Sequence, residues 1–550
     1  MKIVSMLLPG ARGLRLWLCL AVLAGGLLAR TWGIADSGIV DDDMAYYAIF
    51  GEYYRKLLFA GYPMYFGLDI AYKPGFLSLS FLASLIFGYS EYMLPLANAF
   101  VATGVSLAVY RLAQLLTKDE WTPVVAMAAV TFVPFLIRLD RMGLSHTSAT
   151  LLLLLSIHQL VLWARYSWEG PRSVLRRAAL LLGGAFLFHP TVLIYCFTLG
   201  AVVCGHALAQ RARPFVDRLK SPLYFAAWAF VPLLLVDVVY RTLFWAFPRL
   251  IAGRAPNFLS PGYLGDVLTG FAMASVSGEG SQDKAFAWKG LHLFGNGVTD
   301  YVCAAAILAG IGLLLWRMWR RERVWAYLFV ATVPLLMMAF NPYVGQYARA
   351  LHATLPMLLI AAAAALCRLV EAIPAVRRSR TAVLGGMVVV LSIAQASSFA
   401  RQGQFDNPAK QAELALPQHL LGALKAAGAE RTYIYYSGFY GLHWFFYVNK
   451  YFGAIPFILQ NGGLEPPADY RMILTPAELE QKVRDGVAEV VLIRRMDERT
   501  ARAWNGHGKE DEFVALAAKL AGRRLERVGE YTVPANVEVF DFRQARMSAQ

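Results

Sequence analysis

The sequence predicts an all-α polytopic membrane bundle of about eleven transmembrane helices, with interfacial helices in its first outer loop and a small C-terminal α/β extracytoplasmic domain. Three observations predict it. The 550 residues are 58% hydrophobic and 16% charged. A soluble domain carries about 25% charged residues, so the apolar excess must face lipid. Apolar runs of spanning length recur from residue 14 to residue 400, and basic residues collect in alternate short loops between them.

The first run, 14–33, follows Lys2, Arg12 and Arg15. A cleaved leader is the competing reading, but no small-x-small cleavage site follows cleanly. Further runs lie at 91–115, 122–138, 145–163, 174–189, 190–209, 222–245, 298–316, 324–340, 350–369 and 381–400. Each is near the length that crosses hydrocarbon as a helix. Run 75–88 is too short to span and reads as interfacial. The basic loops hold Arg165/Arg172/Arg176/Arg177, Arg211/Arg213/Arg218/Lys220, Arg317/Arg320/Arg321/Arg323 and Arg368/Arg377/Arg378/Arg380. By the positive-inside rule these are cytoplasmic, and so is the N-terminus. An odd helix count leaves the C-terminus outside, on the side of the first outer loop 34–90 and the outer loop 246–297. The expected location is the inner (plasma) membrane, with residues 1–400 as a multi-pass domain and 401–550 periplasmic.

Within 401–550, polar residues return. Short β-rich runs appear at Thr432–Tyr436, Phe445–Asn449, Glu489–Arg494 and Val537–Phe540, with helical patterns at 409–426, 476–485 and 510–521. These predict one small α/β domain, with no Gly-rich phosphate loop and no nucleophile elbow. No repeat of 20–50 residues is present. The net charge of +15 belongs to the topology loops. No basic stripe with interleaved aromatics lies outside them, which excludes nucleic acid as a partner. All five Cys sit in apolar runs and read as small core residues.

The sharpest chemical feature is Asp41-Asp42-Asp43, directly after the first run. Adjacent carboxylates repel one another, so they need water, a cation or a cationic substrate group. A solvated acidic loop is the plain reading, and the setting argues for more. Behind the triplet runs an amphipathic aromatic stretch with Tyr46, Tyr47, Tyr53 and Tyr54, suited to the bilayer surface. Lys73-Pro74-Gly75 and the short apolar run follow. Asp237, within an apolar run, is expected to face the bundle interior. His189, beside Pro190, reads as a helix-break partner and not a ligand. Loop 246–297, with Glu279, Asp283, Lys284 and Lys289, reads either as a flap or as a solvated loop. No His/Cys metal spacing exists; whether the acidic triplet takes a divalent cation through its oxygens is open.

This arrangement resembles the C-type, polyprenyl-phosphate-sugar-dependent membrane glycosyltransferases, nearest their protein O-mannosyltransferase and lipid A aminoarabinose transferase branches. Asp42-Asp43-Met44-Ala45-Tyr46 matches their Asp-acidic-x-x-Tyr motif. Lys73-Pro74-Gly75, with Phe87-Gly88 beyond, matches their Lys-Pro-Pro motif with Gly for the second Pro. Arg141 matches their third-helix Arg, but His146 stands where an Asp is expected, and Asp140 is the nearby substitute. Tyr347-Ala348-Arg349 with Pro356 resembles a later loop, and FFYVNKYFGAIP (445–456) resembles their outer domain.

The resemblance implies transfer of a sugar from a polyprenyl-phosphate donor to a glycan, lipid or protein acceptor at the outer face of the bilayer, with inversion. It makes Asp42 the general base and Asp43 its assistant. Lys73 and Arg349 then face the lipid phosphate, with Tyr46 in the substrate site, and Arg141 and His146 hold the donor or order the first loop. The residue types suit that chemistry, since a carboxylate accepts the acceptor's proton and cations stabilise the departing phosphate. Two alternatives stay open. One is a secondary transporter or lipid-linked-sugar flippase, against which stand few intramembrane charges and no inverted repeat. The other is a non-catalytic glycolipid-binding relative.

Overall fold

A computed structural model of the chain describes residues 7–35, 37–39, 42–60, 64–66, 73–165, 171–210, 214–246, 251–253, 298–320, 322–334, 351–402, 408–435, 442–452, 475–495, 510–520 and 522–543. It is mostly helical. The elements are α1 (Leu14–Thr31), α2 (Asp42–Ala60), β1 (Met64–Phe66), α3 (Pro74–Phe87), α4 (Met93–Leu116), α5 (Thr122–Thr131), α6 (Pro134–Arg141) and α7 (His146–Arg165). Next come α8 (Arg172–Phe188), α9 (Leu193–Leu208), α10 (Phe215–Ala246), β2 (Ile251–Gly253), α11 (Val298–Trp319), α12 (Leu351–Ala372) and α13 (Arg380–Gln402). The C-terminal region adds α14 (Pro408–Ala426), β3 (Thr432–Tyr435), α15 (Leu442–Phe452), α16 (Pro476–Arg484), β4 (Val490–Arg494), α17 (Glu510–Lys519), β5 (Arg523–Arg524), β6 (Arg527–Val528), β7 (Tyr531–Thr532) and β8 (Val537–Asp541).

Among the described residues, seven helices are long and apolar enough to cross a membrane, or eight if the bent pair α5–α6 counts as one span. Their burial sorts them. The apolar window of α12 is 78% buried and that of α1 is 22% buried. Helices α4, α7 and α12 therefore form the centre, while α1, α9, α10 and α13 form a rim. Exposed Phe197, Leu223, Leu235 and Ile393 on that rim are what lipid requires of it.

The run 122–138 departs from the straight span expected of it. Pro134 cannot donate to the helix ladder and its ring clashes with the preceding turn. The helix breaks at Phe132–Val133 and resumes with a 54° bend. A break exposes carbonyls, and Arg30 on α1 supplies a donor: its Nη1 bonds the Thr131 carbonyl at 2.8 Å. Of run 324–340, the described part holds a 3-10 turn at Arg323–Trp325 and a short helix at Ala326–Phe329; the rest lies outside the described residues.

The C-terminal sheet has strand order β3-β4-β8-β5, with β3 parallel to β4 and the other pairs antiparallel. Strand β4 is buried on both faces, as its apolar run implies. Val490 and Leu492 pack in one cluster with the first loop and with α14 and α15; Val491 and Ile493 pack in another with Leu479 and Phe513 of α16 and α17. The sheet is thus sandwiched between its own helices and the first loop. One expected strand is a helix. Phe445–Asn449 lies inside α15, where Trp444, Tyr447 and Val448 bury one face at helical spacing. Aromatic and β-branched residues favour a strand locally, but packing against α14 and the first loop overrides that preference.

Candidate functional site

The segments that the sequence assigns to one side of the membrane meet at one end of the bundle. Strand β1 of the first loop pairs in parallel with β2 of loop 246–297, Met64 opposite Ile251. Other residues of that loop, including those read as a flap, lie outside the described residues. Helix α2 packs on α3 and on α15. Its Tyr54 hydroxyl is 2.7 Å from the Tyr240 hydroxyl of α10. The first loop is therefore gripped by the bundle, by β2 and by the C-terminal region.

Asp42 opens α2; its side chain lies outside the description, as does all of Asp41. Asp43 is half-buried and Tyr46 is buried. The Tyr46 ring meets Tyr47 edge-on at 5.4 Å and Phe50 at 4.5 Å. Lys73 immediately precedes α3, and its carbonyl accepts from Phe76 and Leu77 at 3.1 Å. Its ammonium donates to the Tyr47 hydroxyl and stands 5.1 Å from the centre of that ring. Tyr47 lies one helical turn beyond Asp43, so α2 and the start of α3 bring a carboxylate and a cation to neighbouring turns. The Gly75 that replaces the family's second Pro has a packing reason. A Cβ there would lie 2.9 Å from the Phe188 ring and 3.2 Å from the Leu187 carbonyl carbon, so the Phe188 ring or α3 itself would have to shift.

Arg141 ends α6 and closes the far end of α1. Its guanidinium donates to the Trp32 carbonyl at 2.7 Å, to the Ala29 and Arg30 carbonyls at 3.4 Å and to Ser37 Oγ at 3.0 Å. It also lies 5.7 Å from the Phe399 ring. The last carbonyls of a helix lack intrahelical donors and favour a cation. These contacts tie Arg141 to the end of α1 and to Ser37 at the start of the first loop.

His146 opens α7, its ring 4.0 Å from that of His189. His189 caps the 3-10 turn Pro190–Val192, with Nδ1 accepting from the Thr191 amide at 3.2 Å. It is a helix-break partner, as expected. Asp140, the nearby substitute for the absent acid, is committed elsewhere. One of its oxygens accepts from Arg30 Nε at 2.7 Å, and the other from Thr147 Oγ1 at 2.6 Å and His352 Nε2 at 3.0 Å. His352 Nδ1 in turn lies 2.9 Å from Thr150 Oγ1. All of these groups are buried. Asp237 is buried too, and accepts from Arg241 at 2.6 Å. Arg349 and Tyr347 lie outside the described residues.

The structure adds residues that sequence reasoning passes over. Buried Glu52 binds Arg55 in a two-bond pair at 2.7 and 2.5 Å, with Lys56 3.9 Å away. Burial lowers the Lys56 pKa against the pull of Glu52. Lys450 on α15 pairs with buried Glu91, and the Tyr447 hydroxyl accepts from the Ile39 amide at 3.0 Å. A signal for these does exist: Tyr447 and Lys450 lie inside the FFYVNKYFGAIP segment. Among the described residues no group of three His, Cys, Asp or Glu side chains could hold a metal ion.

No family model matches this chain, and no curated protein matches it. Solved structures do. ArnT from Cupriavidus metallidurans in the apo state matches over 96% of this chain and 98% of its own, with a TM-score of 0.56 at 11% identity. The chain has the ArnT fold. The likeness is one of fold, along nearly the whole of both chains. The archaeal oligosaccharyltransferase AglB from Archaeoglobus fulgidus aligns over 95% of this chain and 75% of its own, with a TM-score of 0.48 and 14% identity. The mycobacterial arabinofuranosyltransferase AftD aligns over 97% and 42%, with a TM-score of 0.47 and 15% identity.

Proposed function

We propose that this chain is a membrane glycosyltransferase that moves a sugar from a polyprenyl-phosphate donor to an acceptor hydroxyl at the periplasmic face. The observation that carries the reading is the end-to-end ArnT fold together with the placing of Lys73, through Tyr47, one turn from the Asp42-Asp43 start of α2. ArnT is described in a complex with undecaprenyl phosphate, the chemical class of carrier that such cations would meet.

In the proposed step the acceptor oxygen attacks the anomeric carbon from the face opposite the phosphate. The C–O bond to the acceptor forms, the bond to phosphate breaks, and the leaving polyprenyl phosphate keeps the electron pair. Asp42 takes the acceptor's proton, and Asp43 assists or orients it. Lys73 and Arg349 stabilise the charge growing on the phosphate. Tyr46 lines the substrate site, and His146 helps hold the donor. The inner-membrane topology proposed is eleven spans, with a cytoplasmic N-terminus and a periplasmic 401–550 domain. It adds α8, α11 and the run 324–340 to the eight spans counted above.

The test is transfer by the purified protein in liposomes made with envelope lipid and glycan extract as the source of acceptor and carrying a panel of undecaprenyl-phosphate-linked pentoses and hexoses, read by mass spectrometry of released undecaprenyl phosphate. Envelope glycolipids and glycans compared with and without the active protein then name the acceptor and added mass. Release of undecaprenyl phosphate from none of the panel, with no envelope change, would reject the reading in favour of a transporter or a non-catalytic relative.

A further inference from the structure

We infer that Tyr447, in the C-terminal region, is a positioning residue for the acidic turn: it pins the backbone three residues ahead of Asp42. The inference rests on the glycosyltransferase reading and deepens it, since it gives the C-terminal region a part in the reaction beyond covering the bundle.

The segment Ser37–Ile39 joins the end of α1 to the acidic triplet; two anchors hold it, and a third contact holds one of the anchors. From the bundle, Arg141 donates to Ser37 Oγ at 3.0 Å. From α15, the Tyr447 hydroxyl accepts from the Ile39 amide at 3.0 Å, where both residues are buried. From α14, Gln418 Oε1 accepts the Tyr447 hydroxyl proton at 3.3 Å. The phenol thus spends its proton on Gln418 and presents oxygen to Ile39. Burial of Tyr447, with Glu91 nearby, pushes its pKa far up and keeps it in that donor-acceptor form. Gly38 is moulded to the same two side chains. Its φ is +60°, and a Cβ on it would lie 2.8 Å from Gln418 Oε1 and 2.9 Å from the Tyr447 hydroxyl. Without that hydroxyl, the buried Ile39 amide would lose its partner.

Tyr447 is itself held. Its ring packs edge-on against Phe446 at 5.2 Å and stacks on Tyr451 at 6.1 Å. One turn along α15, Lys450 pairs with Glu91. The Phe446 carbonyl accepts from Tyr89 at 3.3 Å, with their rings 4.5 Å apart. Lys56 of α2 reaches Asn449 at 3.5 Å. Helix α15 therefore seats one face on the start of the first loop, on α2 and on the segment before α4. A general base acts only when its carboxylate is held in place, and an ångström of drift costs roughly a hundredfold in rate. Position is what Tyr447 supplies.

Tyr447→Phe keeps the ring and removes the hydroxyl. In the liposome assay, with the undecaprenyl-phosphate-linked sugar the wild type turns over, kcat is expected to fall roughly tenfold, with KM and the affinity for undecaprenyl phosphate within about twofold of wild type. Hydrogen exchange should quicken at residues 37–43 and stay unchanged in β4 and β8. In an Asp42→Asn background the same change should lower kcat no further, because it acts through that carboxylate. Gly38→Ala, which drives the turn off both side chains, is the second variant and should reproduce the kcat loss if Tyr447→Phe does not fold. Faster exchange with unchanged kcat would overturn the positioning role and leave the glycosyltransferase reading standing. So would an undiminished Tyr447→Phe effect in the Asp42→Asn background, the mark of a structural role. A wild type inactive on every donor removes the reading, and the inference with it.

Discussion

The interior of the bundle and the seat of the first loop both bury charge, and they do it differently. Inside, Arg30, Asp140 and His352 close a network among α1, α6, α7 and α12, each polar group bonded within the helices. At the loop, Lys73–Tyr47 joins two helices of the first loop, while Lys450–Glu91 and Tyr447–Ile39 tie its two ends to the C-terminal region. In hydrocarbon an unsatisfied charge is costly, so charges buried among the helices pair with one another. At the membrane edge water and headgroups lower that cost, so charge can be left to do chemistry. Asp43 falls in the second region and Asp140 in the first.

The sharpest way to break this contrast is in the acidic turn. Asp42→Asn keeps shape and removes the basic oxygen, and turnover should collapse by about a hundredfold or more, with donor binding changed far less. Asp41→Asn should do little and Asp43→Asn should fall between them. Three equal effects in the liposome assay would mean a merely solvated loop. Inside the bundle the expected effect is on stability and not on chemistry. Arg30→Met should cost about 3–5 kcal/mol in a detergent unfolding titration, since it strands the Asp140 charge, while Arg30→Met with Asp140→Leu should recover much of that loss. If the single change left stability intact and abolished transfer, the interior network would belong with the site.

Lys73→Gln and Arg349→Gln should each weaken binding of undecaprenyl phosphate by about tenfold, the worth of a charge-assisted contact, with the protein still folded. Normal affinity in both would remove them from the site. The smallest effect is expected far from the first loop. Asp119 caps α5 through the amides of Trp121 and Thr122 and pairs with Arg380. Asp119→Ala should cost about 1 kcal/mol and leave transfer unchanged. Burial raises the pKa of this carboxylate, but the bonds from Thr122 and Trp121 and the Arg380 charge outweigh it, and the net shift is downward. Its contribution is therefore full above the usual carboxylate range and is lost as pH falls through the lowered value. An unfolding series in which the wild-type and Asp119→Ala curves stay parallel at acid pH would contradict this.

Much of the bundle is legible because a span announces itself by length. The runs 14–33, 91–115, 145–163, 190–209, 222–245, 350–369 and 381–400 all correspond to helices long enough to cross. Run 75–88 is the short helix α3. Of the C-terminal strands, Thr432–Tyr436, Glu489–Arg494 and Val537–Phe540 match the structure within a residue or so. Phe445–Asn449 does not, because its aromatic run suits a strand until the first loop packs on it. The bend at Phe132–Val133 also departs from the straight span expected there, although Pro134 signals it.

What the sequence determined by itself was the solvent. Lipid leaves a chain few choices, so hydropathy and the Arg-rich loops sufficed for an apolar helical bundle, and motif residues of the first loop were enough to nominate Asp42, Asp43, Tyr46 and Lys73 for test. What tertiary structure decided was which distant groups meet. Ile39 and Tyr447 lie 408 residues apart, Lys450 and Glu91 359, and Asp140 and His352 212. No periodicity records such pairs, because each is chosen by the packing of whole helices and not by its neighbours in the chain. The role of Asp140 turned on this. Beside Arg141 in sequence it reads as a spare acid for the site, and only the tertiary structure gives it Arg30 and His352 as partners from other helices.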